Sequence, residues 1–599
     1  MADIDLSSYT GTEFNIIGYY RTAQDNKPFR GVFDGNGRTI SKFTYIAPGK
    51  GGAAIFETIS PKANGEGGEV RDLGLIDPNV HAPAGLVIGT LASYLEQGTI
   101  RNCYVRGGRV TGSSYVGGLV GISAWGHIVN CYTSSQVSGG DYVGGLVADN
   151  YGSAELALGD ASIVTNCYST SGVSGNDHVG GLMGSNLGIV YNSFWDVETS
   201  GQSTSAGGAG RTTAEMQRAN TFLGWGARSN EGIWMIDEGN NYPRLRWENQ
   251  AGQPIEPNQL SDLLAGTGTE GDPLLIYTAE ELNTVGLFPC DWDKHFKVIA
   301  DIDLAGYTGA EFNMIGSQNP RCDWPPFTGV LDGGNHTIAN FSYHSMGSAG
   351  LYPTGLFARV NDPNAEIRNL RLADPNVGAR LRHYVGSLIG SFRSGNLINC
   401  HAEGGKVVGH VAPVGGLVGF TGGTIARCSS TVTVEGRGAA GGLAGSNEGR
   451  IITSYSSGAV GGYSDTGGLV GSNNGILADC YATGGVLGER DVGGLVGGHY
   501  PDGAITNCYS AGNVSGNENV GGLVGYSIGW WVSACFWDTE TSGRSSSRHG
   551  TGKTTAEMQT ASTFLDAGWD FVGETANGIE DIWWILEGQG YPKLSWEAK

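Results

Sequence analysis

The sequence predicts an all-β fold of two tandem right-handed parallel β-helices, each followed by a small capping tail that contains a short helix. The first observation is a Gly-Gly-Leu motif with eight copies, which begin at Gly117, Gly144, Gly180, Gly415, Gly441, Gly467, Gly493 and Gly521. The last five copies are spaced by 26, 26, 26 and 28 residues. A short, regular period of this kind is typical of a solenoid in which each unit forms one coil.

The second observation is the order of residues within one unit. A unit reads Val-Gly-Gly-Leu-Val-Gly, a polar turn, Gly-x-Ile-x-Asn-Cys-Tyr and then Ser-x-Gly-x-Val-x-Gly. These are three β-prone runs bounded by glycine and asparagine, and they leave no room for a helix. We therefore expect three strands per coil, each paired with its copy one coil away at about 4.8 Å.

The third observation is that cysteine recurs at one position of the unit. This position holds eight of the ten cysteines, namely Cys103, Cys131, Cys167, Cys400, Cys428, Cys480, Cys508 and Cys535. Ser193 and Ser454 replace cysteine there. A position that accepts only cysteine and serine indicates a buried stack of small side chains. Cys290 and Cys322 lie outside this pattern, and a disulfide between them would fit an extracellular protein.

The chain is an internal duplication. Residues 2–6 recur at 300–304, and residues 194–196 recur at 536–538. We therefore predict a first β-helix and cap, truncated at its N-terminus relative to the second, then a linker, then a longer second β-helix and cap. Their boundaries are 1–249, 250–273 and 274–599.

Each copy ends in a tail without the repeat. Thr212 and Glu215, and likewise Thr554 and Glu557, have the spacing of a capping box at the start of a helix. The open end of a solenoid exposes strand edges, so we interpret these tails as caps.

Composition excludes two classes of partner. Charged residues make up 16% of the chain and the formal net charge is −23. Nucleic acids and anionic membranes both attract clusters of lysine and arginine, which this chain lacks. The apolar runs are strand-length, so we also expect no membrane insertion.

The repeats resemble the GLUG motif of large bacterial surface and secreted proteins. The resemblance covers residues 116–184 and 414–525, and the Phe-Trp-Asp-x-Glu-Thr-Ser-Gly segment that follows is also similar. It implies an extracellular or cell-surface location and a module of a larger secreted protein. Because the motif marks a scaffold, it implies architecture more than chemistry.

Departures from the repeat are the first candidate sites. The corner after the Gly-Gly-Leu strand normally reads Ser-Asn-x-Gly, but two adjacent coils of the second copy carry aromatic residues there, and the first copy carries others. These residues are Tyr500, Tyr526, Trp530, Trp531, Trp125 and Tyr151. Flat aromatic faces about one coil apart are suited to stacking on sugar rings, although packing within the loops is the alternative.

Two further columns are candidates. Aromatic residues follow the cysteines, and in the second copy Tyr455, Tyr481 and Tyr509 form either a structural ladder or an outward-facing glycan platform. Asp465, Asp491 and Glu518 come just before the Gly-Gly motif and would form an acidic edge. Such an edge could be solvated, bind calcium or sugar hydroxyls, or supply a catalytic pair.

These features predict non-catalytic binding of a polysaccharide, with xylan or a similar plant β-glycan as the expected ligand. No catalytic residue is assigned and no cofactor is required, although Ca²⁺ is possible. A polysaccharide lyase or glycoside hydrolase is the first alternative, and a cell-surface adhesin or spacer is the second.

Overall fold

The computed structural model describes residues 2–598 apart from 21–25, 48, 50, 64, 153–160, 226–231, 256–258, 310, 318–325, 346–352, 380–383 and 411–412. The described residues fall into two compact units, which meet in the sequence at 258/259. Each unit is a parallel β-helix followed by a capping tail. The predicted fold class is confirmed.

In the first unit, strands of one coil pair in parallel with their copies in the next, so that Tyr104, Tyr132 and Tyr168 stand in register. The largest sheet contains Ile4–Asp5, Val32–Ser41, Thr44–Ile46, Glu69–Ile76, Asn79–Ala82, Thr99–Arg101, Tyr104–Gly112, His127–Val129, Tyr132–Ser138, Ile163–Thr165, Tyr168–Ser169, Gly172–Ser174, Ile189–Tyr191, Phe194–Asp196 and Ala209–Arg211. Two smaller parallel sheets contain Phe56–Ile59, Ala92–Glu96, Val120–Ala124, Val147–Tyr151 and Met183–Asn186, and Ser114–Gly117, Asp141–Gly144 and Asp177–Gly180. Tyr19–Tyr20 and Asn26–Lys27 form a separate antiparallel pair.

The second unit repeats this plan over more coils. Its largest sheet contains Leu274–Ile276, His295–Val298, Ile302–Asp303, Val330–Asp332, Thr337–Ala339, Phe357–Ala373, Ile389–Glu403, Val418–Thr421, Thr424–Ala426, Ser429–Ser430, Ala444–Asn447, Arg450–Ile452, Tyr455–Ser456, Val470–Asn473, Ile476–Ala478, Tyr481–Ala482, Val496–His499, Ala504–Thr506, Tyr509–Ser510, Val524–Ser527, Trp531–Ser533, Phe536–Asp538 and Thr551–Lys553. The second sheet contains Ser342–Ser345, Asn376–Ala379, Lys406–Gly409, Thr433–Gly436, Val460–Gly461, Val486–Leu487 and Val514–Ser515. The third contains Val385–Gly386, Val414–Gly415, Ala440–Gly441, Thr466–Gly467, Arg490–Gly493 and Glu518–Gly521.

Each regular coil of the second unit holds five short strands where the sequence predicted three. One coil consists of Thr466–Gly467, Val470–Asn473, Ile476–Ala478, Tyr481–Ala482 and Val486–Leu487. Two of the predicted runs are divided. Asp479, for example, adopts a left-handed φ of 53° and separates the strand before it from the tyrosine strand. Left-handed residues of this kind turn the chain sharply, and asparagine and aspartate tolerate them well.

The capping tails contain the predicted short helices. Thr212 and Thr554 each accept a hydrogen bond from the backbone N–H of the glutamate three residues later, which completes both capping boxes. The first tail consists of Val197–Ser200, Thr213–Met216, Ala219–Phe222, Trp234–Ile236, Arg244–Leu245, Arg246–Glu248 and Gln253–Pro254. The second consists of Thr555–Met558, Ala561–Leu565, Trp583–Trp584, Lys593–Leu594 and Ser595–Ala598.

The segment 250–273, which the sequence predicted to be a linker, contributes residues to both units. Gln253–Pro254 pairs with the strand Trp234–Ile236 of the first tail. Leu260–Asp262 forms a 3₁₀ turn, and Leu260 is buried in the core of the second unit. The second unit then opens with the helix Ala279–Val285 and the 3₁₀ turn Pro289–Asp291.

The phased cysteines form the predicted interior stack. All eight are free and buried. The backbone N–H of Cys131 points at Sγ of Cys167 at 3.3 Å, and the thiol of Cys131 donates to the carbonyl O of Val129 at 3.2 Å. Of the two remaining cysteines, Cys290 is disulfide-bonded, and Cys322 lies outside the described residues.

We expect these eight thiols to be unreactive in the folded protein. Burial raises the pKa of the Cys103 and Cys400 thiols well above the usual value, so little thiolate is available. Titration with a chromogenic disulfide reagent, without reductant, should detect none of the eight in native buffer and all of them in concentrated guanidinium. Rapid labelling of the native protein would contradict the stacked interior.

Candidate functional site

Among the residues that the structure describes, the most exposed aromatic side chains lie at one corner of the second unit, which we call the tryptophan corner (residues 528–531). Trp530 and Trp531 are 84% and 71% exposed, and Ile528 beside them is also exposed. The backbone N–H of Ile528 donates to the carbonyl O of His499, which fixes the corner to the preceding coil. Large apolar side chains are normally buried, so two adjacent exposed indoles are a candidate binding surface.

Tyr500 lies in the coil before the tryptophan corner and Tyr526 in the coil that carries it, and both side chains are half-buried. The hydroxyl of Tyr500 donates to Oδ1 of Asp465 at 3.1 Å. Burial, together with the negative charge of Asp465, raises the pKa of Tyr500 to about 12. Burial also raises the pKa of Asp465. The pair therefore offers a neutral phenol and a carboxylate that can hydrogen-bond hydroxyl groups.

The predicted acidic edge of Asp465, Asp491 and Glu518 is wrong for Glu518, which does not align with the other two. Parallel pairing sets Thr466 opposite Val492 and Val492 opposite Val520. The residues just before these three are Asp465, Asp491 and Asn519, and the amide of Asn519 donates to Oδ1 of Asp491 at 2.7 Å. Glu518 comes one residue before Asn519, so in the strand register it stands opposite Arg490 and not opposite Asp491.

Glu518 therefore does not continue the row of Asp465 and Asp491 as the predicted calcium-binding edge would require. Within the ranges that the structure describes, no group of three or more histidine, cysteine, aspartate or glutamate side chains is arranged to hold a metal ion. Calcium binding stays a prediction without a ligand set.

The predicted glycan platform of Tyr455, Tyr481 and Tyr509 is also wrong. Tyr481 and Tyr509 are only 5% and 1% exposed, because the capping tail of the same unit covers them. The Tyr481 hydroxyl donates to the two carboxylate oxygens of Glu597 at 3.0 and 2.8 Å. Trp596 stacks on Tyr455 with ring centroids 5.7 Å apart. The column is the docking surface of the tail and is not available to a polymer.

In the first unit, Trp125 and Tyr151 lie together at the equivalent corner. Their rings meet edge to face with centroids 5.7 Å apart, and Tyr151 is 41% exposed. The inserted residues 153–160 that follow lie outside the described part of the chain. This pair presents less free aromatic surface than the tryptophan corner does.

A second aromatic stack in the first unit was not predicted. Tyr115, Tyr142 and His178 have left-handed φ values of 45°, 56° and 50° and stack with ring centroids 4.7 and 4.5 Å apart. All three stand immediately before a Val-Gly-Gly sequence, which is the signal that could have revealed them. Because their ring faces cover one another, the stack presents mainly ring edges.

The arrangement defines a class of protein, a parallel β-helix with an exposed aromatic corner in its second unit. Residues 488–515 match the model of the GLUG motif, so the chain carries a GLUG repeat. Halomucin from Haloquadratum walsbyi is 29% identical over 119 residues, which is 20% of this chain and 1% of halomucin. The chain therefore matches only a small part of that relative.

A solved structure matches part of this chain. It is a candidate immunoglobulin A1 protease from Bacteroides ovatus, which matches with a TM-score of 0.37 and 20% identity over 55% of this chain and 94% of the other.

In the described part of the chain, no helix has the length and apolar character needed to cross a membrane.

Proposed function

We propose that this protein binds a neutral polysaccharide without cleaving it, with xylan or a similar plant β-glycan as the ligand. The observation that carries the proposal is the pair of exposed indoles, Trp530 and Trp531. Sugar rings have apolar C–H faces, and a flat aromatic side chain binds them by burying those faces. The hydroxyl of Tyr500, one coil before the tryptophans, donates to the carboxylate of Asp465, one coil earlier again, and we propose that both groups receive sugar hydroxyl groups.

Net charge favours a neutral polymer over a charged one. The chain carries 58 acidic and 35 basic side chains, which repels polyanions such as nucleic acids and polyuronates. We further propose that the chain is a module of a larger secreted or cell-surface protein. Its GLUG repeat and its partial similarity to halomucin support that location.

The tryptophan corner can be tested by substitution. Each stacked aromatic side chain contributes about 1 kcal/mol, so Trp530→Ala/Trp531→Ala should lose about 2 kcal/mol, or about thirtyfold in affinity. Isothermal titration calorimetry with soluble xylan and with a soluble mixed-linkage β-glucan measures this loss. Stacking releases no counterions, so affinity in the wild type should be insensitive to salt and to a chelator.

The matched control is Ile579→Ala. Ile579 is 86% exposed but lies in the capping tail of the second unit, so its removal should leave affinity unchanged. Wild-type affinity in the tryptophan double variant would overturn this site. New reducing ends or unsaturated products in the same mixtures would overturn the non-catalytic assignment.

A further inference from the structure

An open groove of about 600 Å³ follows one corner of the second unit over successive coils. Each coil contributes a short segment centred on glycine, and these segments are 394–396, 422–424, 448–450 and 474–476. Asp502 closes the described lining at the next coil. The groove therefore runs along the axis of the β-helix.

Coil packing explains why the floor of the groove is glycine. A Cβ on Gly449 would overlap the carbonyl O of Gly423, and a Cβ on Gly475 would overlap the carbonyl O of Gly449. Because each corner touches the preceding one, a side chain is excluded at this position. The exclusion leaves a continuous channel between the side chains that flank the glycines.

The row of residues that forms one wall of the groove continues in register to the tryptophan corner, one coil beyond Asp502. Parallel pairing sets Thr424, Arg450, Ile476, Ala504 and Trp531 opposite one another in successive coils. Trp531 therefore stands in the row that forms one wall of the groove. Trp530 comes just before Trp531, as each floor glycine comes just before its member of the row. At this position the earlier coils have a glycine without a side chain, whereas Trp530 presents an exposed indole.

The lining is polar and not basic. Glu448 and Asp502 supply carboxylates, Arg450 supplies one guanidinium, and Asn474 supplies an amide that accepts a hydrogen bond from the backbone N–H of Asp502 at 3.2 Å. Such groups donate to and accept from hydroxyls. A polyanion would meet two carboxylates and a single cation, so a neutral chain is favoured.

We propose that this groove binds a linear neutral polysaccharide lengthwise, with the tryptophan corner holding one end of the bound segment. This inference rests on the proposed function and extends it, because it requires the bound chain to pass over several coils. Arg450 lies three coils from Trp531, about 14 Å at a strand spacing of about 4.8 Å. Affinity should therefore increase with the length of the sugar chain beyond what two indoles can contact.

Calorimetry with β-1,4-linked xylo-oligosaccharides and cello-oligosaccharides of increasing length tests this. In the wild type, affinity should rise by about tenfold, or about 1.4 kcal/mol, from the trisaccharide to the hexasaccharide. In Glu448→Ala/Arg450→Ala, trisaccharide affinity should stay unchanged while most of that gain is lost. Thr433→Ala, at an exposed position of a strand in the second sheet, is the control and should retain the full gain.

The outcomes separate the two proposals. Binding that does not strengthen beyond the trisaccharide, or a full length gain in the groove variant, would overturn the groove and leave the tryptophan corner in place. If neither sugar series nor the polymers bind at all, the proposed function fails as well. Far-ultraviolet circular dichroism of each variant confirms that the fold is retained.

Discussion

Substitution of Gly467 by valine is expected to destabilise the second β-helix severely. A Cβ at this position would overlap the carbonyl O of Val470 and lie 2.7 Å from the backbone N of Gly497 in the next coil. Both neighbours are backbone atoms held in ladders, so neither can move without breaking hydrogen bonds. The expected loss in free energy of unfolding is about 3 kcal/mol or more. Urea denaturation followed by circular dichroism measures it.

Gly485→Ala is the matched control in the same coil region. The nearest heavy atom to a Cβ at Gly485 is the carbonyl O of Asn513, 4.0 Å away. This variant should unfold at the same urea concentration as the wild type or slightly above it, because alanine restricts the unfolded chain. If Gly467→Val also unfolds at the wild-type midpoint, the motif glycines are not required for coil packing.

The architecture was predictable because each repeat of the sequence has the same residue type at positions with the same local geometry. The constant glycines mark places where backbone approaches backbone, and the constant cysteines mark one row of the interior. Capping boxes were equally readable, since the two partners are only three residues apart. Short-range sequence relations of this kind determine local geometry directly.

The surface was less predictable from the sequence. The repeat period shows which side chains stack in one column, but it does not show which other part of the chain covers that column. The partner of Tyr481 is Glu597, which lies 116 residues away in the tail. No local pattern around Tyr481 specifies that contact. The aromatic column therefore looked accessible in the sequence, whereas the tail buries it.

The register of the strands between coils was the second reason why the predicted acidic edge was wrong. Glu518 and Asn519 are both polar and adjacent, and a shift of one residue moves a side chain to a different face of the strand. Only the pairing of Val492 with Val520 decides that Asn519 continues the row of Asp465 and Asp491. The same ambiguity concealed the stacked rings before the Val-Gly-Gly sequences of the first unit.

Each capping tail is anchored by a buried aspartate at the end of the last coil. In the second unit, Oδ1 of Asp538 accepts from the backbone N–H groups of Glu540 and Thr541 at 2.8 and 3.0 Å. Its Oδ2 accepts from the hydroxyls of Thr555 and Tyr591, each at 2.7 Å. Asp538 thereby connects the last coil, the helix that follows and the end of the tail. Asp196 has equivalent partners in the first unit.

Asp538→Ala should therefore release the tail of the second unit. Removal of the carboxylate leaves four donors without an acceptor, and buried unsatisfied donors cost about 1–3 kcal/mol each. We expect the free energy of unfolding to fall by about 3 kcal/mol or more. Tryptophan fluorescence during urea denaturation reports the release, because Trp569 and Trp583 belong to the tail and are buried where it packs on the coils. Asp566→Ala, at an exposed position of the same tail, is the control and should change little.

The effect of Asp538 should also depend on pH. Burial alone would raise the pKa of this carboxyl, but the hydrogen bonds from Thr541, Tyr591 and Thr555 outweigh it and hold the pKa below the usual value. A carboxyl with a lowered pKa in the folded state stabilises the protein at pH values above its unfolded pKa of about 4. That stability is lost as the pH falls through the folded-state pKa. The difference between wild type and Asp538→Ala should therefore narrow on acidification, and a difference that is constant from neutral pH to about pH 2 would show that the ionised carboxylate is not what holds the tail.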